Sequence, residues 1–564
     1  MWKRVYCYMK TTCKVKKLFF NNESGLDVSP NDIVVFVGAN NCGKSQSLKD
    51  INQAFINPDH NTVIKRIEYK IYGREHIEED IKRISSFNVK NSQYGGYGYS
   101  VHTSWLGYLG DNTFSGIEQL VRFFVKQIDT RDRLNQCNPI GVIDRDEPKS
   151  HPMHYLVNNS DIRDKIDRCF HEAFGQHIQI ERFGGKNNFL RIGDPIPRLS
   201  NPDCTVDEDM DHVTQVLDTY PKLHEQGDGM VGFTGVLLSL LIENFSVFLI
   251  DEPESFLHPP QSRILGTEIP DILGDRQAFV ATHSEHLIKG LLEAAPNRIK
   301  VVRISRSGNT NTFSAINTED INKIWNDTLL RQSNVFQGLF YDAVVICESD
   351  SDCQFYSSVQ SYLKEKEGKR DNPFYVYAST KSRMKVIVEA LKPLNVDFRV
   401  IADMDLLRDK NDLKPLYEAC GGNWMDIEDD FILLSEALKD DKNTISKEEL
   451  KKAFTDAIDN EGREEYDKTA LKDLKSRVTL EKKWAALKKQ GEKALLLDSI
   501  EPYKRIRGFL VKHNVYLVPV GELEGFVNVS GHGPKWVANV FEQYPNLDNT
   551  VYDEAKQFIQ EWNV

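Results

Sequence analysis

Residues 38–45, GANNCGKS, have the G-x-x-x-x-G-K-S spacing of a phosphate-binding loop. The apolar run IVVFV precedes them and a helical pattern follows. That context suits the chemistry, because backbone N–H groups can curl around phosphate oxygens at the positive end of the next helix. Gly38, Asn40, Asn41, Cys42, Gly43 and Gln46 would shape the cradle. Lys44 would reach the β- and γ-phosphates of ATP, and Ser45 would ligate Mg²⁺. Downstream, VFLIDEPE places Asp251 and Glu252 at the carboxyl end of a buried strand. There Asp251 would support the Mg²⁺, and Glu252 would orient or deprotonate the attacking water. A further strand, in FVATHS, ends on His283, suited to contacting the γ-phosphate.

A second constellation is made only of carboxylates. VVICESDSDCQFY (344–356) runs from an apolar strand into Glu348, with Asp352 on the first turn of a helix. FRVIADMD ends with Asp403 and Asp405. Alternate residues on a strand share a face, so the two aspartates are expected to flank one point. Ends of neighbouring parallel strands lie side by side, which would bring four acids into one crevice. Such like charge is costly unless cations occupy it. Oxygen ligands without Cys or His favour Mg²⁺ or Mn²⁺ over zinc. Glu348 and Asp352 alone fit a helix cap as well as a metal, and Asp352 can serve both.

The elements that must hold these groups form two alternations of strand and helix. At 564 residues the chain calls for two or three domains. The first pattern covers residues 1–336, with an unassigned insertion around 75–225. The second, over 337–564, is a βαβαβ order implying a parallel sheet, interrupted by a charged helical insert around 428–508. NVYLVPVGELEGF is expected to be its last strand. A hydrophobic share of 40% and a charged share of 27% fit a soluble globular protein, with no membrane span and no signal peptide expected. Nine cysteines without a CxxC pair give no zinc signature and fit a reduced, cytoplasmic setting. The net charge of −13 excludes general adhesion to nucleic acid but not a local basic groove.

The order of P-loop, DEPE, FLHP (256–259) and THS resembles the ABC-type ATPases of the SMC and Rad50 class. That resemblance implies head-to-head dimers or higher oligomers, each signature motif completing the partner's nucleotide site. QGDGMVGFTGVLLSLL (226–241) stands where the signature would be. In it Gly227 and Gly229 would cap a helix facing phosphate, although the usual S-G-G-x pattern is missing. Long heptad arms are also missing, and a Q-loop glutamine is not identifiable.

The carboxylate region resembles a Toprim domain, and ATPase followed by Toprim is similar to the OLD (overcoming lysogenisation defect) family of nucleases. The implied fold is α/β: an ABC/SMC-like P-loop domain plus a Toprim domain with a helical insert. The resemblance implies that Glu348, Asp352, Asp403 and Asp405 are metal ligands, with Glu524 of VGELEGF serving the second ion and Glu522 a weaker candidate. Lys381 stands where the family often has Gly-Gly-Lys, and Lys512 is a lesser candidate for a catalytic cation. The Toprim glutamate is usually followed by Gly; here Ser349 follows Glu348.

Residues 471–512 carry twelve Lys/Arg against five Asp/Glu, either a solvated helix face or a phosphate-contacting arm. Together these readings lead to an ATP- and Mg²⁺- or Mn²⁺-dependent endonuclease cutting DNA or RNA in anti-phage defence. Partners implied are a helicase-like protein or a reverse transcriptase with its non-coding RNA. The alternatives are an ATP-driven regulatory module with a non-cleaving Toprim platform, or a DNA-repair ATPase.

Overall fold

The structure, a computed structural model, describes residues 9–562 except 57–60, 97–98, 110–120, 145–146, 148, 183–184, 198–205, 243, 309, 317, 328–333, 369–372, 440–446, 460–470 and 472–482. The chain divides into two compact units, Met1–Arg331 and Gln332–Val564.

The first unit is built on a six-stranded sheet in the order Thr310–Ala315, Ile299–Ser307, Ile33–Val37, Gln277–Ala281, Val247–Asp251, Val125–Ile128. All of its pairings are parallel except that of the first two strands. Its central strands, IVVFV, QAFVA and VFLID, are buried on both faces, which explains their unbroken apolar runs. The apolar helix Asp228–Leu240 and the helices Pro259–Leu273 and Glu285–Ala294 supply further buried surface. A second, antiparallel sheet joins Gly25–Asp27, Thr12–Phe20 and Ile64–Tyr72.

The stretch 75–225, which sequence patterning does not assign, holds short strands interspersed with helices. They include a three-stranded meander (Ser86–Asn88, Gln93–Gly96, Tyr99–His102) and the helices Pro152–Asn158, Ser160–Phe174 and Val206–Thr219. Strands of three or four residues are too short to show a period.

The second unit is a four-stranded parallel sheet ordered Phe374–Tyr377, Ala343–Cys347, Asp397–Ala402, Val515–Leu517. The chain's first strand here thus lies between its second and third. Connections leave it in opposite directions and open a crevice at the carboxyl ends. An aromatic core of Phe355, Tyr356, Phe526, Trp536, Phe558 and Trp562 packs on one side. The expected strand NVYLVPVGELEGF is strand only over Val515–Leu517. Gly521, at φ 99°, then turns the chain, and Leu523–Gly525 forms a 3-10 turn. Described helices of the insert are Glu428–Ala437, Lys447–Asp459, Lys483–Gln490 and Leu497–Lys512.

Candidate active sites

In the first unit the loop 38–43 joins strand Ile33–Val37 to helix Lys44–Ala54. Gly38 (φ 145°), Asn41 (φ 63°) and Gly43 (φ 109°) take conformations in the left-handed half of φ space, which suit Gly and, less often, Asn. A Cβ on Gly38 would stand 2.1 Å from the Ile304 carbonyl oxygen. Asn311 donates from Nδ2 to the Cys42 carbonyl at 2.6 Å and braces the loop from the edge strand Thr310–Ala315. The buried Lys44 ammonium donates to the Gly38 and Ala39 carbonyls at 2.9 and 2.8 Å; burial lowers its pKa. Asn40 is part of the same turn, and Gln46 donates to Asp50 Oδ1 at 2.7 Å within the helix.

Ser45 Oγ donates to Asp251 Oδ1 at 2.8 Å, so the hydroxyl and carboxylate expected at Mg²⁺ meet. Burial raises the Asp251 pKa, and the Ser45 bond opposes that. A divalent cation in place of that shared proton relieves the same cost, so the pair fits the ion. Glu252 turns out of the strand at φ 45°, and its Oε1 lies 3.6 Å from His283 Nε2. Burial lowers the His283 pKa, with the Lys44 charge adding to the effect.

Three groups here escaped the sequence reading. Glu254 accepts from Thr282 Oγ1 at 2.6 Å and from the His283 amide at 2.9 Å, tying the DEPE turn to the histidine strand. Arg133, fully buried, donates from Nη1 to the Asp251 carbonyl at 2.8 Å. Gln127 lies on the strand beside VFLID, opposite Leu249, and accepts from Asn52 Nδ2 at 3.1 Å. The helix carrying Arg133 spans only Thr130–Asn135, and nothing local marks it. Gly227 stands at the N-cap of the helix Asp228–Leu240. Gly229 sits in its first turn, where a Cβ would meet the Phe256 carbonyl at 2.7 Å.

In the second unit, one oxygen each of Glu348, Asp403 and Asp405 lies within 4.8 Å of the others. Glu348 follows strand Ala343–Cys347 and accepts from the Asp403 amide at 3.3 Å. The strand-face argument for the aspartates is corrected, because the strand ends at Ala402. Asp403 begins the 3-10 turn Met404–Arg408 and Asp405 lies inside it. The tighter winding of that turn brings both carboxylates to the crevice. Burial first, then neighbouring acids, raises Asp403 well above the usual carboxylate range. Burial raises Glu348 to about 7, with Lys381 opposing.

Asp352 and Ser349 form a reciprocal capping box: Asp352 Oδ2 accepts from the Ser349 amide at 2.7 Å, and Ser349 Oγ caps the Asp352 amide at 3.3 Å. Asp352 therefore caps the helix at the edge of the acid cluster rather than joining the three. Glu524 lies close enough to contribute to raising the Asp352 pKa, after burial. Its Oε1 accepts from the Gly533 amide at 2.7 Å and lies 2.6 Å from His532 Nδ1.

Lys381 starts a helix and its ammonium pairs with Asp405 Oδ1. Lys512 sits in the last turn of Leu497–Lys512 with its ammonium over the Phe509 ring, 5.0 Å from the centroid, ahead of the amino end of strand Val515–Leu517, whereas the acids follow carboxyl ends of the same parallel sheet. Lys488 was not singled out, yet it reaches Asp405 Oδ2 at 3.2 Å and Glu522 Oε2 at 3.5 Å. Lys493 pairs with Glu554, Arg505 with Asp430 and Arg507 with Glu561, so these charges are spent within the fold, while 472–482 lies outside the described residues. Carboxylate oxygens at these separations fit a hard cation bound at about 2.1 Å after small rotamer changes.

Residues 189–289 match the family model described as AAA domain, putative AbiEii toxin, Type IV TA system. The match includes the DEPE turn and His283, whose geometry with the P-loop is given above. The first unit thus joins a P-loop to a segment that matches an AAA-domain model.

Among solved structures, the SMC head domain from Thermotoga maritima is 13% identical, with a TM-score of 0.28, over 54% of this chain and 99% of its own. The Smc head domain with extended coiled coil bound to the C-terminal domain of ScpA, from Pyrococcus furiosus, is 10% identical at TM-score 0.30, over 56% and 99%. The cbiO1 protein of Clostridium perfringens, part of an ABC transporter complex, is 14% identical at TM-score 0.22, over 52% and 85%. Comparison with curated proteins returns no match. Among the described residues, no helix is long and apolar enough to cross a membrane.

Proposed function

We propose that the chain is an ATP-hydrolysing, metal-dependent endonuclease of OLD type, with a Toprim-like second unit that cuts phosphodiester bonds of nucleic acid. The observation that carries this reading is the convergence of Glu348, Asp403 and Asp405 at adjacent carboxyl ends of a parallel sheet. Glu348, Asp403 and Asp405 would hold a Mg²⁺ or Mn²⁺ ion, with Asp352 and Glu524 at the rim. Such an ion lowers the pKa of a bound water and polarises phosphate oxygens. The chain's own groups orient the phosphate: Lys381 and Lys488 face the acids and would meet its oxygens. In the first unit Lys44 and the loop amides would hold ATP, Glu252 would take the proton of the attacking water, and His283 would sense the γ-phosphate. Head-to-head dimers through Gly227 and Gly229 would complete each nucleotide site. The toxin named in the matched family's description supports a defence setting.

The deciding experiment incubates purified protein and Mn²⁺ or Mg²⁺, with and without ATP, with linear, circular and single-stranded DNA and with RNA. Cleavage by the unmodified chain that disappears in Asp403→Ala, while ATP binding persists, supports the proposal. Intact substrates under every condition would overturn the nuclease reading. They would leave the second reading, an ATP-driven regulatory module with a non-cleaving platform, which the lysine pairs on both Asp405 oxygens favour.

A further inference from the structure

Arg133 is a fully buried cation lying against the end of the VFLID strand. It follows strand Val125–Ile128, a parallel neighbour of VFLID, in the short helix Thr130–Asn135. Burial lowers its pKa, and the charges of Glu254, Asp251, Glu252 and Asp129 oppose that. Its Nε is buried without a hydrogen-bond partner. Apolar residues serve stability better than a buried, incompletely bonded cation, so the position calls for a role beyond packing.

That role is visible in the peptide joining Asp251 to Glu252. Its carbonyl accepts from Arg133 Nη1 at 2.8 Å, and its amide donates to the Ala281 carbonyl at 2.9 Å. The guanidinium is itself held: Nη2 donates to Thr130 Oγ1 at 3.0 Å, and a Cβ on Gly232 would stand 3.7 Å from Nε. The peptide plane is therefore clamped on both edges. One jaw is a side chain from beyond strand Val125–Ile128, the other the backbone of strand Gln277–Ala281.

Clamping matters because of the residue that follows. Glu252 has φ 45°, a conformation that residues with a Cβ rarely adopt. Turning the preceding peptide changes that angle and swings the carboxylate. In the clamped position Glu252 Oε1 lies 3.6 Å from His283 Nε2, and Oε2 accepts from Ser255 Oγ at 3.3 Å. The Ser255 amide donates to the Glu252 carbonyl at 3.0 Å and holds the residue from its far side. Arg133 holds it from the near side.

We propose that Arg133 is a positioning residue for ATP hydrolysis, fixing the Asp251–Glu252 peptide and thereby aiming Glu252 at the attacking water. It acts through Glu252 and not on the nucleotide. The inference rests on the ATPase reading above and deepens it.

The test is steady-state ATP hydrolysis and fluorescent-nucleotide binding by the full chain. Arg133→Met removes the clamp and should lower kcat about tenfold, with nucleotide affinity kept within about threefold. Arg133→Lys can still reach the carbonyl and should recover part of the loss. In a Glu252→Gln background Arg133→Met should cost nothing further, because the group it aims can no longer take the proton. A merely structural role would lower the residual rate there as well. Thr130→Val, at an exposed position, frees Nη2 and should lower kcat about threefold with the same pattern; it decides the matter where Arg133→Met does not fold. Unchanged kcat in the folded variant, a loss that falls on affinity, or an undiminished loss in the Glu252→Gln background would overturn the proposal and leave the ATPase reading standing. An unmodified chain that does not hydrolyse ATP would sink that reading, and the proposal with it.

Discussion

Ser45 Oγ donates to Asp251 Oδ1 at 2.8 Å, joining the start of the P-loop helix to the end of the VFLID strand across 206 positions of sequence. Glu252, next in the chain, points away from this pair toward His283. In the proposed ATPase, binding and water activation would fall to different side chains. Glu252→Gln should keep nucleotide affinity within about threefold and lower hydrolysis by about 100-fold or more. Lys44→Ala should lose affinity itself. Fluorescent-nucleotide titration and phosphate release separate the two outcomes; equal loss of both in Glu252→Gln would contradict the division of labour.

Arg133 sets up a stability prediction of another kind. Its backbone lies so close to the helix Asp228–Leu240 that a Cβ on Gly235 would stand 1.8 Å from the Arg133 carbonyl oxygen. Backbone, unlike a side chain, cannot swing aside. Gly235→Ala should therefore destabilise the first unit by about 2 kcal/mol, against the usual gain of Ala over Gly in a helix. Denaturant unfolding should show the loss; a more stable variant would mean that the two segments can separate freely.

Ser349, which stands where the Toprim resemblance leads one to expect glycine, is extended at φ −128° and caps the helix Asp350–Lys366. Glycine's conformational range is not needed there, and the hydroxyl adds a bond that glycine cannot make. Ser349→Ala should cost about 1 kcal/mol, whereas Ser349→Gly should cost only a few tenths. Thermal unfolding of the two variants checks the order, and Gly being the worse of the two would refute it.

His151, which belongs to neither candidate site, supplies a pH dependence. It caps the helix Pro152–Asn158 through Nδ1, which accepts from the Met153 amide at 3.2 Å. Burial, then the nearby His154, pushes its pKa from 6.5 down to about 4. Between those values the unfolded chain binds a proton that the folded one does not. Its contribution is complete above pH 6.5 and is lost as pH falls toward 4. His151→Asn keeps a capping acceptor and should flatten that part of the stability profile; an unchanged slope would remove His151 from the account.

The phosphate loop, the DEPE strand and the first carboxylate strand were legible because each couples an unbroken apolar run to a chemically distinctive end. The long-range partners were not. Arg133 and Gln127 lie in a stretch of short elements without period, and only the sheet order brings them beside VFLID. Lys488 looked like one of many lysines in a charged helix. What distinguishes it is the 519–521 turn, where the expected strand ends early because Gly521 reverses the chain. The aspartates were placed in the right crevice on the wrong local geometry: a strand was assumed to continue where a 3-10 turn begins.

The Ser349–Asp352 capping box closes on itself through protein atoms alone. The first turn of the helix beside the acids is thus held by its own hydrogen bonds and would not need an ion to form. An ion should be able to come and go there without the surrounding chain folding or unfolding.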